Sequence, residues 1–139
     1  MKRNDSVEKY KDSGFKLTPQ RIAILDYLEG NRSHPSAEDI YTAIKKRFPT
    51  MSFATVYNTL EMLVNRGLVV SLSIDPDKKR FDPGIAPHHH FICTKCRWID
   101  DVFEDFGISL SQTEMRSFQV TGHHIEFYGI CSDCGGDKA

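Results

Sequence analysis

The sequence has no long hydrophobic run, no internal repeat and no low-complexity segment. No apolar stretch approaches the roughly 20 residues of a membrane-spanning helix, or the hydrophobic centre of a secretion signal. A chain of 139 residues with 40% hydrophobic and 27% charged residues can bury one modest core or two small ones. We therefore expect a cytoplasmic protein of one or two small domains.

Cysteine is also scarce, with four residues that form two Cys-x-x-Cys pairs, Cys93 with Cys96 and Cys131 with Cys134. In a reducing cytoplasm, closely spaced cysteines bind metal more often than they form disulfides. Two such turns, brought together, supply the tetrahedral sulfur set that zinc prefers. A redox dithiol is the alternative, but neither pair has the strand-to-helix context of a thioredoxin-like motif. The pattern predicts a structural zinc site.

Positive charge is confined largely to one half of the chain. Residues 1–80 carry 14 Lys and Arg against 10 Asp and Glu, whereas residues 81–139 carry 4 against 9. A basic half beside an acidic half is typical of a protein in which one half binds a polyanion, although charged residues are often only solvated surface.

The first 67 residues show helical periodicity. A short helix is predicted near Val7 to Lys11, and three further helices begin at the capping residues Thr18, Ser36 and Ser52. The apolar residues predicted to face inward are Ile22, Leu25, Leu28, Ile40, Tyr41, Ile44, Phe48, Phe53, Val56, Leu60 and Leu63. A bundle of short helices is therefore expected.

Two short strands, Val70 to Ile74 and Lys79 to Phe81, follow this bundle and suggest a winged helix-turn-helix. That fold lays its last bundle helix in the DNA major groove, where Thr55, Tyr57 and Asn58 would reach the bases. Residues expected to contact the DNA backbone are Lys45, Lys46, Lys78, Lys79 and Arg80. A helical bundle that contacts only proteins remains the alternative.

The second half is predicted to be a small α/β unit. Residues 84–87 read as a linker, and the strands expected after it are Phe91 to Cys93, Trp98 to Val102, Phe118 to Thr121 and Ile125 to Ile130. A helix is expected near Ile108 to Met115. The predicted class is α+β, with a winged-helix DNA-binding domain at 1–83 and an α/β domain at 84–139.

Three consecutive histidines, His88, His89 and His90, precede the first cysteine pair. On a strand, the first and third would point to one face and the second to the other. Nearby carboxylates are Asp82, Asp100 and Asp101. Nitrogen and oxygen donors suit iron(II) or manganese(II), although a histidine run can also be solvated surface, as can the isolated His34, His123 and His124.

Taken together, these motifs resemble the Fur (ferric uptake regulator) superfamily over nearly the whole chain. The segments that carry the resemblance are Leu17–Arg21, His34–Tyr41, Ala54–Leu60, Arg80–Asp82, His88–His90 and the two cysteine pairs. The resemblance implies an N-terminal winged helix, a C-terminal α/β dimerisation domain and a regulatory metal between them. The regulatory ligands that it implies are His34, Asp82, His88, His90 and Asp101, without Asp100.

Within the superfamily, the chain is most similar to the peroxide-sensing repressors. Asp101 stands where iron-uptake regulators usually carry Glu, and Asn58 stands where they usually carry Arg. A further metal site of the iron-uptake branch is incomplete, because it requires carboxylates at His89 and near Ile108, and only His123 matches. His89 also departs from the peroxide branch, which commonly has a non-histidine residue between its two ligands.

The resemblance implies a dimeric repressor on pseudo-palindromic operator DNA, not an enzyme. Bound iron(II) would react with hydrogen peroxide, oxidise His34 or His88 and thereby release the DNA, whereas manganese(II) would leave the repressor insensitive. A repressor that responds to iron or zinc availability is the nearest alternative. A zinc hydrolase or a zinc-ribbon scaffold that binds only proteins would belong to other classes.

Overall fold

A computed structural model describes residue 14 and residues 16–111 and 117–135. The chain divides into two compact units, of which the first ends at Ala86 and the second begins at Pro87. The helix predicted at 7–11 lies outside the described residues. In the described part, no helix combines the length and the apolar composition needed to cross a membrane.

The first unit contains three helices followed by a hairpin. The helices are α1 (Pro19–Leu28), α2 (Ala37–Lys45) and α3 (Phe53–Asn65), and the strands are β1 (Val70–Leu72) and β2 (Arg80–Asp82). The two strands pair in antiparallel fashion. This order of helices and strands is the one predicted from the sequence.

Each helix begins at the capping residue predicted for it. The side chains of Thr18, Ser36 and Ser52 each accept a hydrogen bond from the backbone N–H three residues further on. At Ser36 the cap is reciprocal, because the carboxylate of Asp39 accepts from the Ser36 N–H at 3.0 Å. These bonds satisfy donors that the first helical turn leaves unpaired.

The core of the first unit is built from the inward faces of the helices, and it includes Ile40, Val56, Leu60 and Leu63, as predicted. Phe53 was predicted wrongly, because its side chain is 40% exposed. Phe53 is the first residue of α3, whereas the buried residues of this helix begin at Val56. Its ring packs edge to face against Tyr41, with the ring centroids 5.7 Å apart.

The second unit is a three-stranded sheet with β3 (His89–Cys93) at its centre. Strand β4 (Ile99–Val102) pairs with β3 in antiparallel fashion, and β5 (Glu126–Gly129) pairs with it in parallel. A short helix, α4 (Ser132–Gly135), follows β5. Strand β4 ends, and β5 begins, at the end of the sheet where β3 starts, so residues 103–125 connect the two edge strands at that same end.

Two predictions for this connecting segment fail or lie outside the described residues. Residues 118–121 are irregular instead of forming a strand, and residues 108–111 are not helical; 112–116 lie outside the described part. Phe118 and Val120 alternate as strand residues do, but they are exposed, at 53% and 42%. An apolar alternation forms a strand only where a neighbouring strand can pair with it, and at one edge of β3 that position is taken by β5.

Candidate metal centres and nucleic-acid interface

The four cysteines converge at one end of the second unit. One sulfur atom from each lies within 4.8 Å of the others, and the sulfurs of Cys96 and Cys131 are 3.7 Å apart. The backbone N–H groups of Cys96 and Cys134 donate to the sulfurs of Cys93 and Cys131, both at 3.4 Å. Four convergent thiols on two tight turns are the donor set of a structural zinc site.

The surroundings of these thiols shift their pKa values in opposite directions. The backbone N–H groups of Cys96 and Cys131 stabilise the thiolate of Cys93 and lower its pKa to about 6. Proton sharing with Cys96 and Cys131 raises the pKa of Cys134 to about 12. Without metal, the sulfur cluster therefore keeps part of its protons.

The first cysteine turn contains a residue in an unusual conformation. Arg97 has a φ of 69°, in the left-handed region that normally favours glycine. Its N–H donates to the carbonyl of Cys93 at 2.8 Å and closes the turn. The turn after the first cysteine pair is thus closed by an arginine in a conformation that glycine adopts more readily.

The second cluster in this unit joins two histidines to one carboxylate. The Nε2 atoms of His88 and His90 lie 3.1 and 3.4 Å from Oδ1 of Asp101, and all three side chains are buried. The register of the sheet brings them together, because β3 and β4 place Asp101 opposite His90. Asp100 is opposite Phe91 and exposed, so it lies outside this cluster.

His89 points away from this cluster, as strand alternation predicts. Its Nδ1 accepts a hydrogen bond from the backbone N–H of Ile125 at 3.0 Å, and its ring stacks on His123 with centroids 5.5 Å apart. It therefore links β3 to the segment that precedes β5.

The first unit holds a further histidine and carboxylate pair. Nε2 of His34 lies 3.5 Å from Oδ2 of Asp82, with side-chain exposures of 1% and 6%. His34 is in the loop before α2, whereas Asp82 is the last residue of β2. The loop joins this strand through the Phe81 N–H, which donates to the carbonyl of Pro35 at 2.9 Å.

Arg80 fixes the backbone of that loop, and its predicted role as a DNA contact is wrong. Arg80 is only 8% exposed to solvent. Nη1 donates to the carbonyl of His34 at 3.0 Å, and Nε and Nη2 lie 3.0 and 2.9 Å from Oδ2 of the buried Asp75. His34 has a φ of 54°, so the guanidinium holds a residue whose backbone is in an unfavourable region. We call Arg80, Asp75 and His34 the arginine clamp.

The residues predicted to contact DNA lie on one exposed face of α3. Thr55, Tyr57 and Asn58 are exposed on its first two turns, while Val56 and Thr59 are buried. The hydroxyl of Thr55 lies 2.9 Å from that of Ser52. A helix with a buried rear face and polar groups near its N-terminus has the form of a recognition helix.

Sequence reasoning missed one residue that contacts the cluster of His88, His90 and Asp101. Nδ1 of His90 lies 2.7 Å from Nε2 of His124, a residue for which the sequence offered no role. The two are 34 positions apart. No local spacing rule connects them, because the parallel pairing of β3 with β5 creates the contact.

Comparison with known proteins places the chain in a family. A profile of the ferric uptake regulator family matches residues 12–128. The chain is 40% identical to the peroxide operon regulator of Bacillus subtilis (strain 168) over 132 residues, which cover 94% of this chain and 91% of the relative.

Two solved structures are similar over most of the chain. PerR from Streptococcus pyogenes, described in terms of peroxide sensing and gene regulation, has 33% identity and a TM-score of 0.53, covering 95% of this chain and 92% of its own. The Vibrio cholerae ferric uptake regulator has 29% identity and a TM-score of 0.71, with 90% and 98% covered. The chain therefore belongs to the ferric uptake regulator family.

Proposed function

We propose that this protein is a cytoplasmic, metal-dependent transcriptional repressor that binds operator DNA as a homodimer and senses hydrogen peroxide. The observation that carries the proposal is that each unit presents a buried group of nitrogen and oxygen ligands, separate from the sulfur cluster. The names of the similar peroxide regulators support peroxide as the signal.

His34 and Asp82 of the winged-helix domain, with His88, His90 and Asp101 of the dimerisation domain, would together hold one regulatory ion. Imidazole and carboxylate ligands without sulfur suit iron(II) or manganese(II), whereas the four cysteines suit zinc. Ligands drawn from both domains would fix the angle between them. A dimer can place both recognition helices in successive major grooves only at one such angle.

The dimerisation domain offers apolar surface for a second copy. Exposed apolar side chains in its described part include Phe118, Val120, Phe127, Tyr128 and Ile130. A concentration of exposed apolar residues on so small a unit supports an interface between identical chains. The operator would then be pseudo-palindromic, because the symmetry of the dimer is matched by that of its site.

When iron(II) is bound, its reaction with hydrogen peroxide supplies an oxidant that adds oxygen to a neighbouring imidazole. His34 and His88 are the imidazoles proposed to be modified. An oxidised imidazole is a poorer ligand, so the metal would dissociate and no longer fix the angle between the two domains. The operator would then be released. Zinc-bound thiolates at Cys93, Cys96, Cys131 and Cys134 would be protected from the same oxidant.

The test measures operator binding by the iron(II) and manganese(II) forms, before and after hydrogen peroxide. We expect both forms to bind, and only the iron(II) form to release DNA. Mass spectrometry should then find added oxygen on a peptide that contains His34 or His88. The matched control is His123→Ala, which removes a histidine outside the proposed ligand set and should respond like the unmodified protein.

Other outcomes identify the alternatives. Metal-dependent DNA binding that ignores peroxide would assign the protein to metal availability, and oxidation confined to the four cysteines would reject the histidine mechanism. DNA binding that needs neither metal would reject the regulatory site itself.

A further inference from the structure

His90 stands out among the proposed ligands because both of its ring nitrogens face a partner. Nε2 lies 3.4 Å from Oδ1 of Asp101, on the side where the regulatory ion is proposed to bind. Nδ1 lies 2.7 Å from Nε2 of His124. A neutral imidazole that gives one nitrogen to a metal carries its proton on the other, and an acceptor for that proton fixes both the tautomer and the ring orientation.

The geometry points to His124 as the positioning residue of this metal site, an inference that rests on the proposed function. His124 accepts the Nδ1 proton of His90 at Nε2 and carries its own proton on Nδ1. This proton faces Glu126, whose Oε2 lies 3.8 Å from Nδ1 of His124. The hydrogen bond between His90 and His124, favoured by the nearby charge of Glu126, therefore leaves Nε2 of His90 unprotonated toward the metal.

The sheet holds His124 and Glu126 in place. The parallel register sets Glu126 opposite His90, and the hydroxyl of Tyr128 donates to Oε1 of Glu126. Ile125, between His124 and Glu126, is bound to β3 twice: its N–H donates to Nδ1 of His89 at 3.0 Å, and its carbonyl accepts from the His90 N–H at 3.2 Å. The orientation of His124 is thus set by the strands instead of by a free loop.

This arrangement also gives His89 a role. A side chain that accepts from the Ile125 N–H keeps the segment before β5 against β3. The residue that departs from the usual pattern of the peroxide branch therefore supports the histidine next to it along the strand, without binding the metal.

The test is a titration of manganese(II) into the full-length, zinc-loaded protein and its His124→Ala and His124→Gln variants. Loss of a partner that orients a ligand lowers metal affinity by about 10-fold to 100-fold. We expect a fall of this size for His124→Ala. We expect a substantial recovery for His124→Gln, since its side-chain carbonyl can accept the same proton. The matched control is His123→Gln, which changes the adjacent histidine and should leave the affinity within about threefold of the unmodified protein.

Nitrogen NMR of the metal-free proteins supplies a readout that a purely structural role would not move. The His90 ring should be protonated on Nδ1 in the unmodified protein, and should become a mixture of tautomers in His124→Ala. Equal manganese affinities, or an unchanged His90 tautomer in a folded His124→Ala protein, would overturn the inference. An unmodified protein that binds no manganese through His90 would instead overturn the proposed function, so the two failures are distinguishable.

Discussion

Replacing Arg80 with methionine tests whether this residue is a structural clamp or a DNA contact. The substitution keeps an unbranched chain that extends about as far as Nε of arginine, but it removes the charge and the donors. It leaves the carboxylate of Asp75, whose side chain is 0% exposed, without its cation. It also removes the donor that holds the carbonyl of His34 at 3.0 Å.

The magnitude follows from what remains around Asp75. Breaking a buried ion pair by removing one partner destabilises a protein by about 3–5 kcal/mol, because the other charge stays buried. Oδ1 of Asp75 still accepts the N–H of Asp77 at 2.9 Å, which partly compensates the lost cation. We therefore expect Arg80→Met to lower the free energy of unfolding by about 3 kcal/mol, near the lower end of that range.

Urea unfolding of the zinc-loaded protein, followed by circular dichroism at the helical band, measures this change. The signal reports the first unit, since the described helices longer than one turn all lie there. The double variant Arg80→Met with Asp75→Leu removes both charges and should recover much of the loss, giving a coupling energy of at least about 1.5 kcal/mol. Lys79→Ala is the control, because its pair with Glu61 is exposed and should contribute under about 1 kcal/mol.

One result would refute the structural role of Arg80. If Arg80→Met changed stability by less than about 1 kcal/mol and instead lowered the salt dependence of DNA binding by about one ion, Arg80 would be a phosphate contact. The arginine clamp would then contribute little to the free energy of unfolding.

Further expectations concern the helix cap, the recognition helix and the zinc site. Ser36→Ala should lower the free energy of unfolding by about 1 kcal/mol in the same urea assay, whereas Ser73→Ala, at an exposed position, should leave it nearly unchanged. Asn58→Ala should reduce discrimination between operator and mutated operator by about 1–3 kcal/mol in a competition shift assay, without changing its salt dependence. Zinc must displace the protons of Cys134, whose pKa is raised to about 12, and of Cys96, whose pKa is also raised, so chelator competition should show affinity falling by at least about a hundredfold per pH unit as pH drops from 8 to 7. Below the Cys93 pKa of about 6 a further proton competes and the fall should steepen; a pH-independent affinity would contradict these assignments. Cys134→Ser, if it yields zinc-free protein, should also weaken manganese binding in calorimetry, and an unchanged affinity would show that the two sites are independent.

Features that depend on neighbours in sequence could be predicted. Capping at Ser36 needs only Asp39 three positions on, and the shared face of His88 and His90 needs only the period of a strand. The convergence of the four cysteines followed from their spacing and from the preference of zinc.

Features that depend on strand register could not be predicted. Arg80 reads as a surface cation beside two lysines, and only the loop that carries His34, 46 positions earlier, reveals it as buried. His124 meets His90 because β5 joins β3 in parallel, a topology that the sequence pattern did not specify. The family resemblance selected Asp101 and not Asp100 as a ligand. The register of β3 with β4 gives the physical reason, because it places Asp101 opposite His90.

The proposed zinc site and the proposed regulatory site are linked because both include residues of strand β3. Cys93 is the last residue of β3, and Cys131 lies just beyond the end of β5, the strand that pairs with it. A metal held by both cysteine pairs therefore fastens β5 to β3 at one end. The same pairing sets the position of Glu126 opposite His90 and of His124 against its ring. Since zinc binding energy becomes folding energy in so small a unit, loss of zinc would loosen the register on which the orientation of His90 depends. Zinc would thus support the sensing site through the sheet, without sharing a ligand with it.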